Sequence, residues 1–332
     1  MERFVFVTAV TIAIIWGVVA MFGHGRFIHF SGGDWDIDAD ARMAPLVEVA
    51  PGSMAAQTYV GSELDFEHLA ANVVITPEDR TDFVIEIANP AGRVPMPEIT
   101  SQGGRITIDG RLSRRIEHCT NGGADLRDYG SVSAEELPRI TIRAPRTLEI
   151  DRSGAGSLEV GPSQSLDLDF SSCGSATLGD VAGALNVDLA GSGRISAGAA
   201  QSLNADVAGS GALAVGAVAQ DANVDIAGSG EVNIASLTGD LSSDGAGSGN
   251  LIVQGGAIGV ASIDLAGSGD VDIAATVRSL KVSIVGSGSV DVSAEVGDIE
   301  ADIAGSGDVS ARSVTGAIRK EVWGSGDVRV GG

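Results

Sequence analysis

The stretch that decides the fold is LNVDLAGSGRISA, residues 185–197. Before the glycines, Leu185, Val187 and Leu189 are separated by polar residues, and the alternation resumes after them at Ile195. Alternation with a period of two is typical of a β-strand with one buried face. Because glycine adopts the positive φ that a tight corner requires, the segment predicts two short strands that meet at GSG.

The same pattern recurs throughout the C-terminal half. GSG begins at intervals of 18–20 residues, at Gly191, Gly209, Gly228, Gly247, Gly267, Gly286, Gly305 and Gly324. Two degenerate corners, which begin at Gly154 and Ser172, precede these eight copies at similar spacing. One such unit cannot bury its apolar face alone, whereas stacked units bury a continuous column. The sequence therefore predicts an all-β fold, a parallel β-helix of ten rungs of about 19 residues over 148–332.

The segment before the repeats is less regular. Alternating stretches at 64–76 and 83–88 are followed by prolines, which break strands. We expect residues 51–147 to form an irregular β cap and the first coils of the solenoid. Within this segment, residues 113–138 are mostly polar and predict a surface insertion.

The N-terminus carries an uncharged apolar run that begins at Phe4 and ends at Phe22. About 20 apolar residues in a helix span a bilayer core, whereas the apolar part of a secretory signal is usually shorter, about 7–15 residues. Residues 1–23 therefore predict an apolar helix that is either a membrane anchor or a cleaved signal peptide, and residues 24–50 predict a polar tether. Both alternatives place the rest of the chain across the membrane, in the periplasm or at the cell surface. An uncleaved anchor would hold it at the inner membrane.

The composition argues against several classes of function. The 332 residues include 44 acidic and 21 basic side chains, with a formal net charge of −23, so nucleic acid is not an expected partner. No nucleophile elbow, dinucleotide fingerprint or phosphate loop occurs among the glycines. His68 and His118 stand isolated in the sequence, and we interpret both as surface or cap residues. We therefore predict no enzymatic activity and no cofactor. The one alternative is bound Ca²⁺, which a periodic row of acidic residues suggests.

The position three residues before each corner is acidic in nine of the ten rungs. We call six of its members the acidic ladder: Asp188, Asp206, Asp225, Asp244, Asp264 and Asp302. In-register stacking places such carboxylates about 4.8 Å apart, where like charges repel by about 1 kcal/mol in water. Either Ca²⁺, which accepts carboxylate oxygens, relieves this repulsion, or solvent and backbone N–H groups do so. We expect the second explanation and keep a Ca²⁺ site as the alternative.

The chain has two cysteines, Cys119 in the insertion and Cys173 at a degenerate corner near the start of the repeats. Because the N-terminal run predicts an oxidising compartment, thiols that approach each other will pair. An insertion that folds back over the first rungs would bring the two together, so we predict a Cys119–Cys173 disulfide. The alternative is that both thiols stay unpaired.

Several stretches, in order, resemble one bacterial family: FEHLAANVVITPED, VIEIANP, GGRITIDGRL, LPRITIRAPRTLEI, SGAGSLEV and the DIAGSGDV-like repeats. The family is called putative auto-transporter adhesin, head GIN domain, and the resemblance covers about residues 64–332. It implies a right-handed, single-stranded β-helix exposed in the bacterial cell envelope, with no catalytic residues to carry over.

These observations together predict a non-catalytic cell-envelope module, an adhesin or a surface- or ligand-binding protein whose partner is a glycan or a protein. A carbohydrate-active β-helix enzyme is the first alternative. It would require a cleft with convergent carboxylates and aromatic sugar platforms, and no such set is evident in the sequence. A structural spacer of the envelope is the other alternative.

Overall fold

Two kinds of strand pairing divide the molecule into a cap and a set of repeats. The computed structural model describes residues 46–120 and 122–331. The cap contains β1 (Gly52–Tyr59), β2 (Glu63–Ala70), β3 (Asn72–Glu78), β4 (Phe83–Asn89), β5 (Glu98–Gln102), β6 (Arg105–Asp109), β7 (Ile116–Thr120), β8 (Gly123–Leu126), β9 (Gly130–Val132), a 3₁₀ helix (Ala134–Glu136) and β10 (Arg139–Pro145).

The repeats consist of strands that pair in parallel with the rungs before and after them. They are β11 (Thr147–Ala155), β12 (Ser157–Val160), β13 (Ser165–Ser172), β14 (Ser175–Leu178), β15 (Val181–Gly191), β16 (Arg194–Ala197), β17 (Ala200–Gly209), β18 (Ala212–Val218), β19 (Ala222–Gly228), β20 (Glu231–Gly247), β21 (Asn250–Val253), β22 (Gly256–Gly267), β23 (Asp270–Ile273), β24 (Thr276–Gly286), β25 (Ser289–Gly305), β26 (Asp308–Val314), β27 (Ile318–Gly324) and β28 (Asp327–Val330). This confirms the predicted all-β solenoid, with about ten turns of about 19 residues.

The alternating residues bury the faces that the sequence predicts. Leu185, Val187 and Leu189 are each at most 1% exposed, and each lies in register with the corresponding residue of the next rung, as Leu185 does with Leu203. The resulting apolar column is continuous from Leu64 to Ala311. Each apolar residue therefore packs against its equivalents one rung above and one rung below, which is how a rung too small for its own core becomes stable.

The two glycines of each corner are required for different reasons. The first adopts positive φ, for example 140° at Gly267, a conformation that other residues rarely adopt. The second does not, but a Cβ at Gly269 would collide with the carbonyl oxygen of Gly249 in the preceding rung. The sequence analysis identified the first requirement only. The second follows from how closely the stacked corners approach one another.

The cap closes the first end of the solenoid with antiparallel strands. β2 and β3 pair in parallel with β11 and β12 and so form the rung before the repeats. β6 and β10 lie on their other side, again in parallel. Beyond them, β5, β4 and β1 run antiparallel to their neighbours. This reversal of direction ends the stacking, because the outermost strands no longer offer the parallel strand edge on which another rung could stack.

The insertion forms a small separate sheet. β7, β8 and β9 are antiparallel to one another and do not pair with the solenoid. The insertion is not only polar: Leu126, Val132 and Leu137 are buried against Ala70 and Ala155 at the first corners. A second apolar cluster therefore fixes the insertion to the start of the repeats.

The predicted N-terminal helix, from residue 1 to residue 23, lies outside the described residues, as does the predicted tether up to residue 45. Within residues 46–120 and 122–331, no helix is long and apolar enough to cross a membrane.

Candidate functional site

The acidic ladder is stacked in register. Asp188 faces Asp206, Asp206 faces Asp225, Asp225 faces Asp244, and Asp244 faces Asp264, while Ser283 separates Asp264 from Asp302. The stacking creates a column of like charges on the outer surface of one side of the solenoid. The structure thus brings the six sequence-predicted residues into one line, interrupted once.

Two carboxyls of this column have strongly raised pKa values. Partial burial, together with hydrogen bonds to Asp206 and Asp169, raises the pKa of Asp188 to about 7. Burial and the neighbouring carboxyls of Asp206 and Asp244 raise the pKa of Asp225 to about 6. A protonated carboxyl donates a hydrogen bond where two carboxylates would repel. The two most shifted groups lie two rungs apart, with Asp206 between them.

Other aspartates accept backbone hydrogen bonds, several of them on the third side of the rungs, by which we mean the segment between the strand that follows one corner and the strand that precedes the next. Oδ1 of Asp180 accepts the N–H of Ala199 at 2.8 Å, and Oδ1 of Asp240 accepts the N–H of Val260 at 2.7 Å. Asp221 and Asp298 make equivalent bonds at 2.9 and 2.7 Å. Each bond joins one rung to the next. These residues are not evident from the sequence, because only Asp221 and Asp240 are one rung apart and the position does not recur as aspartate in every rung.

The ladder extends backward into the cap and ends at a cation. Asp151 lies in register with Asp65 of β2, and Arg105 of β6 contacts both carboxylates, at 3.2 and 3.1 Å. Arg105 also forms an ion pair with Glu63. The Asp65 side chain is only 9% exposed, so its partner neutralises a buried charge. Nothing in the repeat pattern indicated this arginine.

Cys119 and Cys173 are joined by a disulfide whose Cα atoms lie 5.7 Å apart. Both cysteines pack against the second apolar cluster, beside the first two corners. The bond attaches the edge strand β7 of the insertion to the corner between β13 and β14. It therefore reinforces the position that the apolar contacts already give to the insertion.

A shallow groove of about 620 Å³ crosses the third side of the repeats. The groove extends over five successive rungs, and its walls include Asp240, Thr276, Arg278, Glu295 and Thr315, which come from four of them, together with several glycines. At about 4.8 Å per rung, these positions extend over about 19 Å. Arg278 forms no ion pair with any described residue. The groove thus presents hydrogen-bond donors and acceptors over several rungs, and its glycine backbone is accessible.

The stacked rungs and their GSG corners define a class, the parallel β-solenoids. A family model described as putative auto-transporter adhesin, head GIN domain, matches residues 98–257 and 241–332. The chain therefore belongs to this family, as the resemblance of the repeats and cap strands indicated. The comparison with curated proteins found no match.

Solved structures of low sequence identity resemble the chain. A protein from Parabacteroides distasonis, described as a putative lipid binding protein, is 17% identical with a TM-score of 0.42; the match covers 84% of this chain and 96% of that one. Putative adhesins from Bacteroides fragilis and Parabacteroides merdae are 13% and 14% identical, with TM-scores of 0.35 and 0.38. Each of these two matches covers 86% of this chain and 99% of the other. Similarity this low indicates nothing about the function of the chain.

Proposed function

We propose that the chain is a non-catalytic module of the bacterial cell envelope that binds a glycan through the groove on the third side of its repeats. The family to which it belongs is described as an adhesin head domain, which supports a role in binding a surface. We further propose that the solenoid is right-handed, as parallel crossovers nearly always are, and that it is exposed in the periplasm or at the cell surface. The predicted attachment to the inner membrane through the run from Phe4 to Phe22 stays a prediction.

The observation that carries this proposal is the polar groove. Its exposed threonines, carboxylates and Arg278 come from four of five successive rungs, so donors and acceptors are distributed along the groove. A glycan chain carries hydroxyl groups along its length, and it gains affinity when several of them are bound at once. A repeated polar surface therefore suits a polymer better than a single small molecule.

Binding to a panel of bacterial and host glycans tests the proposal. The full chain should retain at least one class of glycan, and replacement of Thr276 by Trp should fill the groove and abolish that binding. Thr177 lies exposed on β14, away from the groove, so Thr177→Trp is the matched control and should bind as the unmodified chain does.

A charge reversal gives a second pair of variants. Arg278→Glu should weaken binding by at least about tenfold, the size expected when one charged hydrogen bond is lost. Arg194→Glu, which reverses an exposed charge on β16, should leave binding unchanged. Equal binding by all four variants, or retention of a protein partner only, would overturn the glycan proposal. Ca²⁺ binding by the acidic ladder stays the alternative to the prediction that solvent and backbone N–H groups relieve its repulsion.

A further inference from the structure

Glu67 and His68 lie at a β-bulge in the cap. In the pairing of β2 with β11, these two residues together oppose Ser153 alone. His68 has φ of 48°, in the left-handed region that residues other than glycine seldom adopt. Neighbouring side chains of a regular strand point to opposite faces, but a bulge changes their direction. Here it allows both side chains to approach Asp109 at the end of β6.

Three potential metal ligands therefore meet at one place. A carboxylate oxygen of Glu67, a ring nitrogen of His68 and a carboxylate oxygen of Asp109 all lie within 4.8 Å of one another. The His68 and Asp109 side chains are 45% and 40% exposed, so an ion from solvent can reach them. The sequence analysis interpreted His68 as isolated, because Asp109 is distant along the chain. The pairing of β2 with β6 brings them together.

Backbone hydrogen bonds position the three residues. The N–H of Gly110 donates to the carbonyl oxygen of Glu67 at 2.9 Å, and the N–H of Leu112 donates to that of His68 at 3.2 Å. The Asp109 carboxylate accepts the N–H of Arg111 at 2.8 Å, which fixes one of its oxygens. The backbone that carries Glu67 and His68 is therefore held in place before an ion binds, as is one oxygen of Asp109.

The separation of the ligand atoms matches a small metal ion. Nδ1 of His68 and Oδ1 of Asp109 lie 3.6 Å apart, which is too long for a hydrogen bond. Two ligands bound at about 2.1 Å to a tetrahedral zinc ion are about 3.4 Å apart. The geometry points to a Zn²⁺ site formed by Glu67, His68 and Asp109, with solvent in the fourth position.

The donor set selects the metal. Imidazole nitrogen binds zinc and its neighbours in the periodic table well, whereas Ca²⁺ and Mg²⁺ prefer oxygen ligands only. The two carboxylates supply two negative charges, which balance a divalent cation. The acidic ladder, in contrast, offers oxygen alone, so the two places differ in the ion that they favour.

Zinc titration of the full chain by calorimetry tests the site. Millimolar Ca²⁺ is included throughout to occupy sites that consist only of carboxylates. His68→Asn is the informative variant, because asparagine tolerates the left-handed conformation of residue 68 but lacks the imidazole. It should weaken Zn²⁺ binding by about 10- to 100-fold or more. Loss of a residue that only hydrogen bonds to a metal ligand already lowers the affinity by that factor, and this variant removes a ligand itself.

His118→Asn is the matched control, because His118 is exposed in β7 and lies outside the ligand cluster. It should bind Zn²⁺ as the unmodified chain does, and Glu67→Gln should weaken binding without affecting the bulge. Thermal melting gives an independent measurement: Zn²⁺ should raise the Tm of the unmodified chain and of His118→Asn, but not that of His68→Asn. Equal zinc stoichiometry and affinity for the unmodified chain and His68→Asn would overturn the assignment.

Discussion

The cap (residues 46–146) and the repeats that follow bury one apolar column, but their polar groups are arranged differently. In the cap, oppositely charged side chains meet, as Arg80 does with Asp82 and Arg93 with Glu136. Between residues 152 and 307 the described chain contains no ion pair, and those near the C-terminus involve only Lys320 and Arg329 with nearby aspartates. A repeat places each residue beside its own equivalents, so opposite charges seldom meet there.

Side chains that both donate and accept hydrogen bonds are suited to such stacking. Nδ2 of Asn204 donates to Oδ1 of Asn186 at 2.9 Å, and Asn223 donates to Asn204 in the same way at 3.3 Å. Ionised aspartates cannot do this, because a carboxylate only accepts. Positions at which the same residue stacks in successive rungs therefore favour amides and protonated carboxyls. The irregular cap, where different residues meet, is stabilised by ion pairs and a disulfide instead.

The largest expected effect tests whether the repeats share one core. Ile226 is 4% exposed and lies in register with Val207 of the preceding rung. Ile226→Asp would bury a carboxylate without a partner, which costs several kcal/mol. We expect the repeats to unfold or to melt at a much lower temperature, as measured by circular dichroism.

The matched control introduces the same charge on the outer face. Asn223 is exposed, and Asn223→Asp removes only its hydrogen bond to Asn204. We expect a loss below about 1 kcal/mol, as for most surface substitutions. Equal destabilisation by the two variants would contradict the inward and outward assignment of the rung residues.

The next effect concerns how the cap is attached. The cysteines are 54 residues apart, and closing a loop of that size is worth about 4 kcal/mol in the chain-entropy model. Replacing both cysteines by serine should therefore lower the free energy of unfolding by up to about this amount. Chemical denaturation measures the loss, and a reducing agent should affect the unmodified chain but not the double variant.

Cys173→Ser alone separates the bond from the corner. Serine occupies the equivalent position in the eight GSG corners, so it should fit the backbone at residue 173. The single and double variants should consequently lose the same amount of stability. A Cys173→Ser chain as stable as the unmodified protein would show that the disulfide contributes nothing.

The sequence was sufficient to predict which residues align between neighbouring rungs. It was not sufficient to predict contacts that occur at only one place in the molecule. Asp188 and Asp206 occupy the same place relative to a corner, so their alignment follows from counting. Arg105 reaches Asp151 only because β2 pairs with both β6 and β11, which no periodicity indicates.

The bulge at His68 and the groove beside Arg278 lie beyond sequence reasoning for similar reasons. A single extra residue reverses which face a side chain occupies, and alternation cannot locate it. The depth of the groove depends on how the third sides of five rungs align. Repetition therefore makes the core predictable, while the places most suited to binding arise where the repetition is interrupted or where its irregular side is exposed.

The smallest effect is a pH dependence that arises from the stacked aspartates of the repeats. The pKa of Asp188 is raised to about 7 and that of Asp225 to about 6, from an ordinary aspartate value of 3.8. A group whose pKa is higher in the folded state binds its proton more tightly there, so its contribution to stability is complete below about pH 4 and is lost as the pH rises through 6 and 7. The Tm should therefore fall between pH 5 and pH 8 at constant ionic strength.

Neutral amides at these two positions would separate this effect from the general repulsion of an acidic chain. Asp188→Asn with Asp225→Asn mimics the protonated carboxyls, because asparagine also donates and accepts. The double variant should melt at a higher temperature than the unmodified chain at pH 8, and its Tm should depend less on pH. Glu159→Gln removes the same kind of charge from an exposed position of β12, outside the ladder, and should leave the pH dependence unchanged. If the double variant followed the pH dependence of the unmodified chain, retained protons would not be what relieves the repulsion between stacked aspartates.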